Sequence, residues 1–429
     1  MHIEASGGLL LLGATFMALL WANSPWSEGY YQFWDSHLSL GIGGRTYTMS
    51  LEHFVNDGLM AVFFFSVGLE IKREVLVGEL SSVRKAAMPI AAAIGGMIVP
   101  AVIYVSMVTV RSGHGIHGWA IPTATDIAFA VGVMALLGKR VPLSLKVFVT
   151  ALAIADDIGA VLVIAVFYTS EISVQALGLA LALIGLSAGA NRIGVRTPLV
   201  YALLGIAMWV MLLRSGIHAT IGGVMLAFTI PVSMRIPGGA FVGYARGAVD
   251  KFDARGGGGG DILTDPERQD AVQGLVRACE AVQTPLNRLE HALQPWVAFG
   301  IMPVFALANA GISLGAGFGD SIGSGVGLGV GLGLLLGKPI GVIGTSLLAA
   351  KFGLGDLPAG VSRRQFVGAG FLAGIGFTMS MFVTNLAFRG EDSQAFIQLA
   401  KTGILCGSFV SALLGFLLLR GAPTPPPRR

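Results

Sequence analysis

Four carboxylates and one ammonium group stand in stretches of this 429-residue chain that are otherwise apolar: Asp57, Asp126, Asp156, Asp157 and Lys338. A charge at the centre of a membrane-spanning helix costs about 2.5–3.5 kcal/mol on insertion scales, so such residues face a wet cavity or one another. An Asp–Lys pair within a bundle would be purely structural. One lysine cannot neutralise four carboxylates, however, and the excess negative charge requires cations. Hard alkali cations prefer carboxylate, hydroxyl and carbonyl oxygens, so cation binding is the chemistry these residue types can do.

Spacing narrows the roles. Asp156 and Asp157 are adjacent in AIADDIGA, so on a helix they diverge by about 100° and cannot both face one small cavity. One can reach a bound ion while the other reaches a neighbouring helix. Asp126 lies in AIPTATDIAFAVG, where Pro122 removes a backbone donor and the run from Thr123 through Thr125 to Asp126 offers side-chain oxygens that compete with helical hydrogen bonds. That pattern fits a broken membrane helix. A second candidate break is GFLAGIGFTMSMF, where Gly370, Gly374 and Gly376 precede Thr378 and Ser380, although glycines in membrane helices often serve packing alone. Cys279 and Cys406 have no spacing that indicates a metal site or disulfide framework, and no cofactor is expected.

The elements that must position these residues follow from composition. The chain is 54% hydrophobic and 12% charged, about half the charged fraction of a soluble domain. That leaves too little polar surface for a soluble globule, which argues against a cytosolic enzyme, a nucleic-acid binder or a secreted disulfide scaffold. Twelve apolar runs are long enough to cross a bilayer core of roughly 30 Å. They lie near 7–23, 51–71, 87–110, 117–138, 142–169, 174–190, 198–213, 217–232, 293–312, 326–350, 365–388 and 397–419. The expected fold is therefore an all-α polytopic membrane protein of about 12 transmembrane helices. The pair 198–213 and 217–232, separated by Arg214, Ser215 and Gly216, is read as two crossings rather than one re-entrant segment. The first run has a signal-peptide alternative ending near Ala22, but His2 and Glu4 precede it with no Lys or Arg, so it is read as a retained span.

With both termini inside, the inside loops carry 22 Lys or Arg and the outside loops only Arg45, Arg111, Arg214, Arg389 and Lys401, which fixes the expected orientation by the positive-inside rule. Eight spans within 1–232 and four within 290–420 flank a cytoplasmic loop at 233–289, and a cytoplasmic tail covers 421–429. The loop contains a Gly256–Gly260 linker, then Thr264-Asp265-Pro266-Glu267, a capping-box pattern. Val272, Leu275, Val276, Cys279 and Val282 follow at helical spacing, consistent with a short amphipathic helix. Outside, Leu38 to Met49 alternates on either side of Gly43-Gly44, a hairpin signal. A lone two-stranded hairpin is marginal in water, so a second copy of the chain is its simplest partner.

The two candidate breaks fall in the middle spans of two triplets, about 87–169 and 326–419. The triplets start on opposite faces of the membrane, the signature of inverted-topology repeats with an ion site where half-helix ends meet. Asp126 is suited to balance the positive N-terminal ends and Lys338 the negative C-terminal ends.

Several segments then carry a specific resemblance. NDGLMAVFFFSVGLEIKRE, GWAIPTATDIAFAVGVMALLGKRVPLSLKVFVTALAIADDIGA, SGIHATIGGV, RLEHALQPWV, FALANAGISL, LLLGKPIGV and GIGFTMSMF resemble the NhaA sodium/proton antiporters of bacterial inner membranes, in order along nearly the whole chain. That family is itself a standing example of inverted repeats with broken helices. The resemblance implies electrogenic, pH-regulated exchange of internal Na+ or Li+ for external H+, with more protons entering than cations leaving. It assigns Asp157 as main cation ligand, Asp156 as the partner of Lys338, and Asp126 with Thr125 as the polar group at the helix crossing. Asp57 resembles a carboxylate on the outer route. Glu70, Arg73, Glu74, Arg288, Glu290 and His291 resemble a cytoplasmic pH-activation cluster, and His218 in GIHAT a further pH-linked histidine. Two departures touch the regulatory side: Gln294 stands where a histidine is expected after EHAL, and the Gly256–Gly260 insertion lengthens the loop before the ninth span.

Competition between Na+ and proton for Asp157, assisted by Asp126 and Thr125, would couple the two ions. Three alternatives remain at this stage. A transporter of another small solute, such as an organic anion, predicts more positive than negative charge at the midplane. An intramembrane aspartyl protease needs a two-aspartate acid/base dyad, but its Gly-x-Gly-Asp motif is absent from AIADDIGA. A passive channel would conduct without a proton gradient.

Overall fold

A computed structural model of the chain describes residues 2–42, 45–111, 113–169, 172–234, 236, 238–253, 265–315, 317–389 and 393–423. Helix α1 (His2–Ala22) and α2 (Ser27–Asp35) precede strands β1 (His37–Ile42) and β2 (Arg45–Ser50). Helices α3 (Leu51–Val77) and α4 (Val83–Arg111) follow. A 3-10 helix, Ile116–Thr123, then leads into α5 (Ile127–Leu136), α6 (Leu143–Phe167), α7 (Val174–Arg192), α8 (Pro198–Ser215) and α9 (Ala219–Thr229). Beyond them lie α10 (Gly238–Asp253) and α11 (Pro266–Val282), α12 (Pro285–Asn309), α13 (Phe318–Gly323) and α14 (Gly325–Lys351). The chain ends with α15 (Arg363–Ala373), α16 (Phe377–Ala387) and α17 (Ser393–Arg420).

Among the described residues, 10 helical segments are long and apolar enough to cross a membrane, and α1 with α2 forms an eleventh, bent by 114°. The expected eighth crossing is a helix of 11 residues, covering only about 16 Å. Gly216, at φ +80, ends α8, and the chain is non-helical over 231–234 beyond α9. The carbonyls at the end of α9 are not left bare: Lys72 Nζ donates to those of Phe228 and Ile230 at 2.7 and 2.6 Å, and Asn191 donates to that of Thr229 at 2.8 Å. Inside a bilayer such pairing is obligatory.

Burial sorts the helices into centre and rim. In the most apolar window of Arg363–Ala387, 89% of residues are buried, against 22% for α7 and α8. The broken α15–α16 segment is therefore the middle of the bundle, and the exposed Leu179, Leu186, Leu199 and Leu203 face lipid. Helices α4 and α14 cross at backbone distance. A Cβ on Gly337 would lie 2.7 Å from Pro100 Cα, so only glycine fits this crossing. Three helices contain a π-turn: Val55–Leu59 in α3, Val297–Ile301 in α12 and Gly333–Gly337 in α14.

Several expectations are corrected. Lys401, placed in an outside loop by the charge count, lies buried within α17. Helix α12 begins at Pro285 rather than near 293, because Thr284 caps it by accepting from Asn287 N–H at 3.2 Å and Pro285 occupies the first turn. Among the described residues, the 233–289 region holds α10 as well as the expected α11, before α12 begins. In α11 the buried residues are Ala271 and Ala278, packed on α10, while Val272 and Val276 of the expected stripe are exposed. Asp265 Oδ1 accepts from Arg268 N–H at 3.3 Å; Thr264 and Gly256–Gly260 lie outside the described residues. Strands β1 and β2 pair antiparallel, with Leu38 opposite Met49, while Gly43-Gly44 also lies outside the described residues.

The α3–α9 contact offers a test of this packing. A Cβ on Gly223 would meet the Ala61 carbonyl and approach Phe65 N to 2.9 Å, whereas one on Gly178 would meet nothing within 4 Å. Gly223→Val is expected to lower stability by at least the ~1–3 kcal/mol of an overpacked core, read as a lower melting temperature in detergent. Gly178→Ala, in the interior of α7 with open space for a Cβ, should not lower it.

Candidate functional site

Residues Ala124 to Asp126 are extended between the 3-10 helix and α5, and Gly374 to Gly376 separate α15 from α16. Pro122 lies in the 3-10 helix just before the first interruption, and Gly374 and Gly376 form the ends of the second. The two interruptions meet. Asp126 is the N-cap of α5, where its Oδ1 accepts from Phe129 N–H at 3.1 Å, and its Oδ2 accepts from Thr378 N–H, in the first turn of α16, at 3.0 Å. The Thr378 hydroxyl donates to the same oxygen. One carboxylate thus neutralises the positive ends of two half-helices from opposite repeats.

The opposite ends are capped reciprocally. The Thr125 hydroxyl donates to the carbonyl of Ala373, the last residue of α15, at 2.9 Å, and the Ser380 hydroxyl donates to Ile121 O at 2.7 Å. Asp126 N–H donates to Ile375 O at 2.6 Å. Lys338 therefore does not balance the half-helix C-termini as the charge argument proposed. It is fully buried and donates to Asp156 Oδ2 at 2.5 Å. It lies beside α4 at Gly96, where a Cβ would be in ordinary contact with Lys338 Nζ at 3.5 Å.

Asp157 is left over. It is 3% exposed, its Oδ1 has no hydrogen-bond partner, and it lies in the fields of Asp156, Glu70, Asp126 and Lys338. A buried acceptor without a donor is costly unless something positive joins it. A proton or a hard cation would serve, and the hydroxyls and carbonyls of the crossing are suitable further ligands. Among the described residues, no group of three or more His, Cys, Asp or Glu side chains could hold a metal ion.

Two cavities approach from opposite ends of α3. One, of about 390 Å³, is lined by Glu74, Glu79, Lys146 and Thr150 and reaches Val131 and Ala151, roughly 7–9 Å along α5 and α6 from Asp126 and Asp157. The other, of about 440 Å³, contains His53, Asn56, Asp57, His218, Asn385 and Arg389. Asp57 lies in the α3 π-turn with its Oδ2 3.1 Å from His53 Nε2. His218 contacts Arg389. Asn309 links Asn56 and Asn385 through amide hydrogen bonds of 2.8 and 2.7 Å, and Phe382 packs between Phe64 and Phe305.

At the first cavity's end of α3, Arg73 gathers three carboxylates: Glu290 at 3.1 Å, Glu74 at 3.2 Å and Glu70 at 3.9 Å. The other two residues of the expected cluster point elsewhere. Arg288 pairs with Glu280 of α11 at 3.5 Å, and His291 Nδ1 bonds the Asn287 carbonyl of its own helix at 2.8 Å. The residues that sequence reasoning left without a role are Asn56, Asn309 and Asn385. Their only signal was amide side chains in otherwise apolar spans.

Buried carboxylates grouped around two interrupted, crossing membrane helices define a transporter of the discontinuous-helix class. Residues 1–419 match the family described as Na+/H+ antiporter 1, and the chain belongs to it. It is 48% identical to the Na(+)/H(+) antiporter NhaA of Oleidesulfovibrio alaskensis, over 97% of this chain and 92% of that protein. Against the protein of the same name from Koribacter versatilis the identity is 47% over 97% and 90%, and against that from Wolinella succinogenes 44% over 97% and 91%.

The crossing also yields a test. Thr125→Val would leave the buried Ala373 carbonyl without its donor, at a cost of about 1–3 kcal/mol. A lower melting temperature in detergent is expected, and an unchanged one would mean that another donor replaces the hydroxyl.

Proposed function

We propose that the chain is a sodium/proton antiporter that also carries Li+ and moves more protons inward than cations outward. The observation that carries this reading is Asp157, buried beside the helix crossing with an oxygen that no protein group satisfies. It holds a proton or Na+ but not both, with Asp126, Thr125 and backbone oxygens of the breaks assisting. Internal Na+ displaces the proton, external protons displace Na+, and access alternates between those steps. The Lys338–Asp156 pair would hold a second proton, which accounts for an electrogenic cycle. Homologues named Na(+)/H(+) antiporter support the ion pair.

In this reading the chain sits in the bacterial inner membrane with both termini inside, as the excess of Lys and Arg on inside loops indicates. The cavity at Glu74 is then the inner funnel, and the one at Asp57 the outer vestibule. The Arg73–Glu74–Glu290 cluster at the inner funnel would govern pH activation, with Glu70, Arg288, His291 and His218 as further contributors. The β1–β2 hairpin, which has no further strand in its own sheet among the described residues, would pair with a second copy to form a homodimer.

Na+-driven dequenching of a pH-sensitive dye in everted vesicles tests the exchange. Asp157→Asn should insert normally and abolish the signal, and full Na+-driven proton movement by purified Asp157→Asn in proteoliposomes would overturn the assignment. Arg73→Gln leaves three carboxylates without their shared counter-charge. The pH of half-maximal exchange should then move upward by about one unit, the scale set by an opposite charge within 4–6 Å. An unmoved profile would remove this cluster from regulation.

A further inference from the structure

The outer vestibule holds one charged group that the exchange mechanism does not use. Arg389, exposed at the end of α16, lines the cavity and touches His218. The other ionisable groups facing the cavity are His53 and Asp57 from α3 and His218 from the α8–α9 connection. Among these groups the Arg389 guanidinium is the one that stays positive throughout the working pH range of a membrane transporter. The field of Arg389 reaches both Asp57 and His218. An alkali cation inside a cavity of about 440 Å³ stays within a Debye length, about 8–10 Å, of this fixed charge.

A route meant to release a cation and then take up protons gains from such a charge at its mouth. Repulsion lowers the residence of a mobile alkali ion there. We propose that Arg389 is a specificity-determining residue of the outer side: its fixed positive charge weakens Na+ binding from the outer vestibule, so that exported Na+ is not recaptured. Arg389 has no part in holding the ion at Asp157; it sets the ratio between the outer and inner apparent affinities. The proposal rests on the exchange activity and orientation given above.

The test compares the KM for Na+ applied to each face in oriented proteoliposomes, for the unaltered protein, Arg389→Gln and Arg389→Lys. Glu391 and Asp392 follow in the chain, and the lysine variant keeps a positive charge against the same neighbours. Arg389→Gln should lower the outer KM about fivefold, the upper range for a solvent-exposed charge interaction, and leave the inner KM unchanged, while Arg389→Lys keeps the original ratio. In the unaltered protein, raising ionic strength with choline chloride should lower the outer KM relative to the inner one, because salt screens the repulsion. That measurement needs no variant to fold. An outer KM unchanged in Arg389→Gln, both KM values moving together, or a ratio insensitive to salt would overturn the proposal. Absence of exchange by the unaltered protein would instead strike the antiport reading itself.

Discussion

One carboxylate closes the centre of this molecule. Asp126 accepts hydrogen bonds from the first turns of α5 and α16 at once, so a single negative charge serves two helix N-termini that belong to different repeats. The crossing exists because membrane helices cannot be interrupted without new partners for the freed backbone groups. Thr125 and Ser380 supply those partners across the crossing, and each repeat therefore completes the other. Removing either half would leave orphaned backbone groups in a medium that cannot hydrate them.

That constraint shapes the site beside it. Asp126 accepts from three protein donors and Lys338 is committed to Asp156, so Asp157 is left without a protein counter-charge of its own. Such an arrangement separates the duties of similar groups by environment alone. Asp156 and Asp157 each keep one buried oxygen without a hydrogen-bond partner, but Asp156 is paired with an ammonium group through its other oxygen. The neighbouring acidic groups, partly offset by Lys338, keep Asp157 in a negative field, which favours the arrival of a proton or a cation.

Much of this was legible in the residues. Asp126, Asp156, Asp157 and Lys338, the charges read from apolar spans, are buried together in the structure, and Asp156 alone of the adjacent pair reaches Lys338 in an ion pair. Pro122, Gly374 and Gly376 marked stretches where the helices are in fact interrupted. What stayed hidden was tertiary. Capping of half-helix carbonyls by Thr125 and Ser380 depends on two segments about 250 positions apart meeting at one point, and no local pattern encodes that pairing; charge complementarity alone therefore assigned the task to Lys338. Lys401 was hidden for a similar reason, because a lysine near a span boundary reads as a loop charge until packing buries it. Helix α10 was missed because Gly238, Gly239, Gly243 and Gly247 depress its intrinsic propensity, which contact with α11 overrides.

The π-turns add a feature of a different kind. Asp57 lies within one, and Lys338 follows another directly. A π-turn is one extra residue wound into an α-helix, and the wide turn absorbs it locally, so the helix on either side keeps its phase. Loss of a single residue between Gly333 and Gly337 would therefore return the turn to regular α-helix with both flanks still in register. What it would remove is the widened turn itself, in which the backbone hydrogen bonds step out of the regular ladder directly before Lys338. The bulge thus adds local backbone freedom beside a buried charge without disturbing the packing of the rest of the helix.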